Sequence, residues 1–142
     1  MVDTKGNRFG SKNLEGSYYL IYFGFTNCPD ICPNSLVKLS KALEKIRKTP
    51  ESKYINLETI FVSVDPERDT PEKIDKFLSF FDKTMIGVTG TSNNDPQLRE
   101  CMKKFKIYAS KIEFEDEETV LKGRKSYTID HTILTYLMND SN

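Results

Sequence analysis

The chain has 142 residues, 37% of them hydrophobic, including 9 Phe and 7 Tyr; that suits one folded domain, since a single core of ordinary size serves roughly 100–200 residues. Its 21 basic and 21 acidic residues cancel, and no basic segment is interleaved with aromatics, which argues against a nucleic-acid partner. The longest apolar run, Tyr18 to Phe25, has eight residues, far short of the roughly 20 that a membrane-spanning helix needs.

Met1-Val2-Asp3 opens the chain without the basic, apolar and cleavage regions of a signal peptide. Tyr18 to Phe25 is aromatic and aliphatic with no polar interruption, the pattern of a strand buried on both faces. It runs into Thr26-Asn27-Cys28-Pro29-Asp30-Ile31-Cys32-Pro33. Leu36, Leu39, Leu43 and Ile46 then recur at helical spacing, with Lys38, Lys41, Glu44, Lys45 and Lys48 on the opposite face. Thr59 to Val64 is a second strand, and Thr70-Pro71 is an N-cap and first-turn pair opening a helix over Ile74, Phe77, Leu78 and Phe81. A third unit runs from Met85 to Val88 and through Asp95-Pro96 into Leu98, Cys101, Met102 and Phe105.

From Lys106 onward the pattern predicts strands and a hairpin arm. Glu113 to Glu118 holds five acids among six residues and Lys122 to Lys125 is basic, a polar excursion read as a solvated loop. Thr132 to Met138 reads as a strand, followed by the turn residues Asn139, Asp140 and Ser141. A returning strand is expected after that turn, so both ends are expected to have been trimmed from a longer protein. Threefold alternation of strand and helix predicts an α/β fold with a largely parallel, mixed sheet.

Three cysteines are too few to staple a secreted fold, and an odd number leaves one thiol unpaired within the chain, so cysteine chemistry is expected to be local. Cys28 and Cys32, four positions apart at a helix start, lie on one side of the first turn. They can share one ligand or bond each other. Partial positive charge at a helix N-terminus favours thiolate, which suits soft metals and redox chemistry alike. A CxxxC motif also fits buried structural cysteines; its place at the carboxyl end of a buried strand, where open α/β sheets put their ligands, favours function.

His131, the only histidine, precedes the last strand and is expected in a turn at the sheet edge. Two thiolates and one imidazole form a three-coordinate set suited to Cu(I), whereas structural zinc usually takes a fourth ligand. Cys101 lies on an apolar helical stripe and is expected in the core, as are Met85, Met102 and Met138.

Four segments in this order, Gly24 to Pro33, Val64-Asp65-Pro66-Glu67-Arg68-Asp69-Thr70, Thr89-Gly90-Thr91 and Asp130-His131-Thr132-Ile133, closely resemble the Sco/SenC family of copper chaperones for cytochrome c oxidase assembly. The resemblance runs from about Asn13 through Met138. It implies a thioredoxin-like fold and copper held by Cys28, Cys32 and His131. It also implies a domain tethered to the mitochondrial inner membrane and facing the intermembrane space, with cytochrome c oxidase subunit II as acceptor and a small soluble copper chaperone as donor. Thioredoxins carry a cis-proline before the strand that follows; here Asp130-His131 stands in its place. Asp130 and Asp65 are candidates to orient the imidazole or tune the thiolates, or else an ordinary turn aspartate and strand-end aspartate. Relative to the family pattern, a tethering helix and a closing strand and helix are absent, and the polar excursion is longer and more charged. The rival readings are a thiol-disulfide oxidoreductase or peroxidase with Cys28 as nucleophile and Cys32 resolving, and a scaffold with vestigial cysteines.

Overall fold

Seven residues of unbroken apolar character place one strand, Tyr18–Gly24, at the heart of the molecule; in the computed structural model, which describes residues 1–29, 31–114 and 126–139, this strand is β2. A two-residue strand, β1 (Val2–Asp3), precedes it. Then follow α1 (Ile31–Arg47), β3 (Leu57–Ser63), α2 (Pro71–Leu78), β4 (Ile86–Thr89), α3 (Pro96–Lys104), β5 (Ala109–Phe114), β6 (Ser126–His131) and β7 (Thr135–Met138). The main sheet runs β1-β4-β3-β2-β7. β2, β3 and β4 are parallel, with Ile21 opposite Ile60 and Phe61 opposite Gly87. β1 and β7 pair antiparallel with β4 and β2. The fold is thus α/β with a mixed sheet, as its alternating pattern predicts.

Both faces of β2 are covered, which is why its sequence carries no polar residue. On one face Phe23, fully buried, meets the rings of Phe105 and Tyr136 at 5.5 and 6.4 Å. On the other, Tyr22 lies 6.3 Å from Phe61, which in turn packs on Phe77 of α2. The caps work as their sequences predict: Thr70 accepts from Lys73 N–H, and the Asp95 carboxylate accepts from Gln97 and Leu98 N–H at 2.9 and 3.2 Å. Met85 is buried, and Cys101, Met102 and Met138 pack against the core from partly covered positions. Burial pushes the Cys101 thiol up to about 11.

Two boundaries differ from the pattern. α2 ends at Leu78 rather than running to Phe81, and Phe81 N–H closes a turn on the Leu78 carbonyl at 2.9 Å; the Phe77 and Phe81 rings still meet at 5.1 Å. His131 stands on a strand rather than in a turn: it is the last residue of β6, which pairs with β5 in a separate two-stranded ladder with Ala109 opposite His131. Residues 132–134 link it to β7. This ladder is the expected hairpin arm. Most of the polar excursion, from Glu115 through Lys125, lies outside the described residues.

Phe23 carries the most buried ring between sheet and α3, so Phe23→Ala is expected to cost about 3–5 kcal/mol of stability. Urea unfolding monitored by circular dichroism measures it; a loss below 1 kcal/mol, about the cost of one methylene, would refute this packing.

Candidate metal centre

Parallel strands end together, and the carboxyl end of β2 delivers the chain to the sheet's rim at Gly24. A tight turn follows, with Cys28 N–H on the Phe25 carbonyl at 3.3 Å. α1 then begins at Ile31 and brings Cys32 into its first turn, where Cys32 N–H donates to Cys28 Sγ at 3.4 Å. Gly24 is required here for space. A methyl group on it would come within 2.9 Å of Cys32 Sγ, 3.0 Å of Tyr22 and 3.1 Å of Phe61.

The end of β6 approaches from the opposite side. His131 Nε2 lies 3.3 Å from Cys32 Sγ, and the ligating atoms of Cys28, Cys32 and His131 all fall within 4.8 Å of one another. All three residues are buried. His131 Nδ1 sits 2.9 Å from the Thr132 carbonyl. A carbonyl can only accept, so Nδ1 carries the proton and Nε2 presents its lone pair to the sulfurs. Burial lowers the imidazole's affinity for a second proton, against the Thr132 carbonyl and the charge of Asp130, which keeps it a ligand rather than a cation. The Phe25 ring holds it edge-on at 5.6 Å and 79°.

Burial also governs Cys32, whose thiol is pushed up to about 12. The helix N-terminus alone favours thiolate, but full desolvation outweighs it at this residue. Two sulfurs and one imidazole nitrogen are soft and borderline donors that match copper.

The two candidate aspartates stand differently toward the centre. Asp130 lies on the exposed face of β6, opposite to His131, and reaches the imidazole through charge; the hydrogen bond that orients the ring comes from the Thr132 backbone. Asp65 is fully buried and is held by Arg68 Nε at 2.5 Å and by Tyr127 Oη at 2.7 Å. It bears on the centre indirectly, because the Arg68 guanidinium it fixes lies 3.6 Å over Tyr127 and 5.8 Å from the Phe25 ring.

Asp69 is the positioning residue that the sequence reading passes over. Fully buried, it accepts from Thr26 N–H at 3.0 Å, Thr26 Oγ1 at 2.6 Å and Ser63 Oγ at 2.7 Å, so it pins the turn leading to Cys28. Lys73 on α2 adds a bond to Asn27 Oδ1 at 2.5 Å. The available signal is an acid directly ahead of an N-cap threonine, where the helix has no use for it.

Two thiols and a lone-pair imidazole nitrogen at the strand ends of a thioredoxin-like sheet define a soft-metal-binding protein. The SCO1/SenC family model matches residues 1–142. Among curated relatives, "Protein SCO1, mitochondrial" of Saccharomyces cerevisiae is 41% identical over 140 residues, covering 98% of this chain and 43% of the relative. "Protein SCO1 homolog 1, mitochondrial" of Arabidopsis thaliana is 36% identical over 139 residues, covering 98% of this chain and 37% of the relative. The chain thus spans less than half the length of these two relatives. Among solved structures, Arabidopsis thaliana ScoI with copper bound superposes with a TM-score of 0.80 at 34% identity, covering 98% of this chain and 78% of that one. Yeast Sco1 with copper bound gives 0.77 at 38% identity, covering 99% and 71%. The chain belongs to the SCO1/SenC family, and copper is the metal its Cys28, Cys32 and His131 cluster suits.

Two outcomes follow from the geometry. Because Cys32 keeps its proton until about pH 12 while His131 is already neutral, Cu(I) binding near pH 7 is expected to release the Cys32 proton, and this thiol alone to raise affinity about tenfold per pH unit. Competition titrations across neutral pH measure the slope; affinity independent of pH would contradict it. Asp69→Ala leaves the Thr26 N–H and the Ser63 hydroxyl unpaired and is expected to cost about 2–3 kcal/mol in chemical denaturation, with a neutral result refuting the anchoring role.

Proposed function

We propose that this chain is a copper metallochaperone that holds one copper ion between Cys28, Cys32 and His131 and delivers it to the binuclear copper site of cytochrome c oxidase subunit II. The observation that carries the reading is three soft donors gathered within 4.8 Å at the rim of the sheet. A three-coordinate ion leaves room for an incoming thiolate, so copper passes by ligand exchange: each new bond to the acceptor's sulfur replaces one to Cys28, Cys32 or His131, without a change in oxidation state. Copper is then cargo rather than a catalyst. The donor in this reading is a small soluble copper chaperone.

Support for the oxidase as destination comes from a relative. BsSco, whose structure superposes with a TM-score of 0.65 at 26% identity, is a member of the Sco family of cytochrome c oxidase assembly proteins. Both SCO1 relatives above are named mitochondrial. We place this domain in the intermembrane space, tethered to the inner membrane through the full-length protein; among the described residues no helix is long and apolar enough to cross a bilayer.

BsSco also has a disulfide switch, which favours a second reading as a thiol-disulfide oxidoreductase. Cys28, 8% exposed against 0% for Cys32, would attack an acceptor disulfide. Cys32 would resolve the mixed disulfide, so that two electrons pass to the acceptor and a Cys28–Cys32 bond forms.

His131→Ala separates the two. It is expected to lower Cu(I) affinity by at least about tenfold and to abolish copper transfer to the soluble copper domain of subunit II, while leaving dithiol reduction of a disulfide peptide intact. Unchanged copper affinity and transfer in the variant would sink the chaperone reading.

A further inference from the structure

Tyr22 is 1% exposed on the α1 face of β2, yet its hydroxyl has no hydrogen-bond partner among the described residues. Buried hydroxyls are almost always paired, because an orphan retains the cost of desolvation without recovering a bond. Cys32 of the cysteine centre is among its polar neighbours. Gly24 is what allows the approach: the same missing methyl would touch Cys32 Sγ at 2.9 Å and Tyr22 Cε1 at 3.0 Å, so ring and sulfur border one gap. The side chains that bear on the hydroxyl are Ser35 and Cys32, neighbours on the first turns of α1.

As a thiol, Cys32 has its Sγ 3.3 Å from the His131 Nε2 lone pair, to which its single proton points, and a neutral thiol accepts hydrogen bonds weakly. As a copper-ligating thiolate it has lost that proton and become a strong acceptor. Its remaining lone pairs then need a donor inside a buried site.

We propose that Tyr22 is a positioning residue of the copper centre, its hydroxyl donating a hydrogen bond to Cys32 Sγ when that sulfur ligates copper as a thiolate. This rests on the copper-ligand role of Cys32 proposed above. The phenol is suited to the task because its hydroxyl is buried and unpaired and its ring borders the same gap as Cys32 Sγ. The bond is made only in the copper-ligating state, so it adds to affinity for copper rather than to the stability of the fold. A donor to a metal-bound sulfur also lowers the energy of its lone pairs and moves sulfur-to-copper charge transfer to higher energy.

Tyr22→Phe removes one oxygen and keeps the ring. The variant is expected to bind one copper per chain with Cu(I) affinity about tenfold lower, the loss of one hydrogen bond to a charged group. Its sulfur-to-Cu(II) charge-transfer band is expected at longer wavelength, and its metal-free melting temperature unchanged or higher. 3-Fluorotyrosine placed at position 22 is a stronger donor and is expected to move the band to shorter wavelength. Unchanged affinity and band position in both variants, with the wild type still binding one copper, would overturn the role of Tyr22 alone. A wild-type protein whose Cu(I) affinity does not change on Cys32→Ser would instead overturn the copper-ligand reading beneath it.

Discussion

The contact between Cys32 Sγ and His131 Nε2, 3.3 Å long and closed across 99 residues of sequence, is the constraint around which the rest of the molecule is arranged. One side of it is set by β2, which is buried on both faces and therefore has little freedom to shift register against β3. The other side is set by β6, whose pairing with β5 fixes where the chain turns toward β7. Neither half touches the other through a continuous ladder. They are joined instead by side chains: Phe25 against the imidazole, Arg68 over Tyr127, and Asp65 holding Arg68. A site that needs three donors within a bond length of one ion depends on packing across that seam.

Burial gives the centre its chemical character. A thiol driven up to about 12 and an imidazole kept neutral form a pair that takes up a soft cation only by giving up a proton. An exposed pair of cysteines would be thiolate more often and would oxidise more readily. Here the scaffold supplies its donors from buried positions, with Asp69 and Thr132 fixing the turn and the ring from behind. Positioning is thereby separated from binding, since the residues that orient the ligands are not themselves ligands.

Most of the fold is legible in the chain because local signals and global packing agree. β2 announces itself by having no polar residue, α2 by Thr70-Pro71, and α3 by Asp95-Pro96 and a stripe that includes Cys101. The metal ligands are legible for a different reason: two thiols at a strand end and a lone histidine admit few arrangements. The residues behind them are less so. Asp69 bonds a turn 43 residues away, and nothing near it in sequence says so. Asp130 looks like the partner of His131 because it is adjacent, yet strand alternation turns adjacent side chains to opposite faces, and the backbone of Thr132 does the work with no side-chain signature at all. His131 is expected in a turn because its strand partner, Ala109, lies 22 residues upstream across a stretch whose pairing no short-range pattern records.

The sequence distance between the two halves of the centre has a consequence for the order in which a newly made chain acquires its parts. Cys28 and Cys32 are in place as soon as β2 and α1 have formed, but the imidazole arrives only when the hairpin of β5 and β6 has docked, a contact of the kind that forms late. Until then the nascent protein offers a dithiol and nothing more. Three-donor coordination is therefore a property of the completed fold, since the imidazole meets the two sulfurs only across the packed seam.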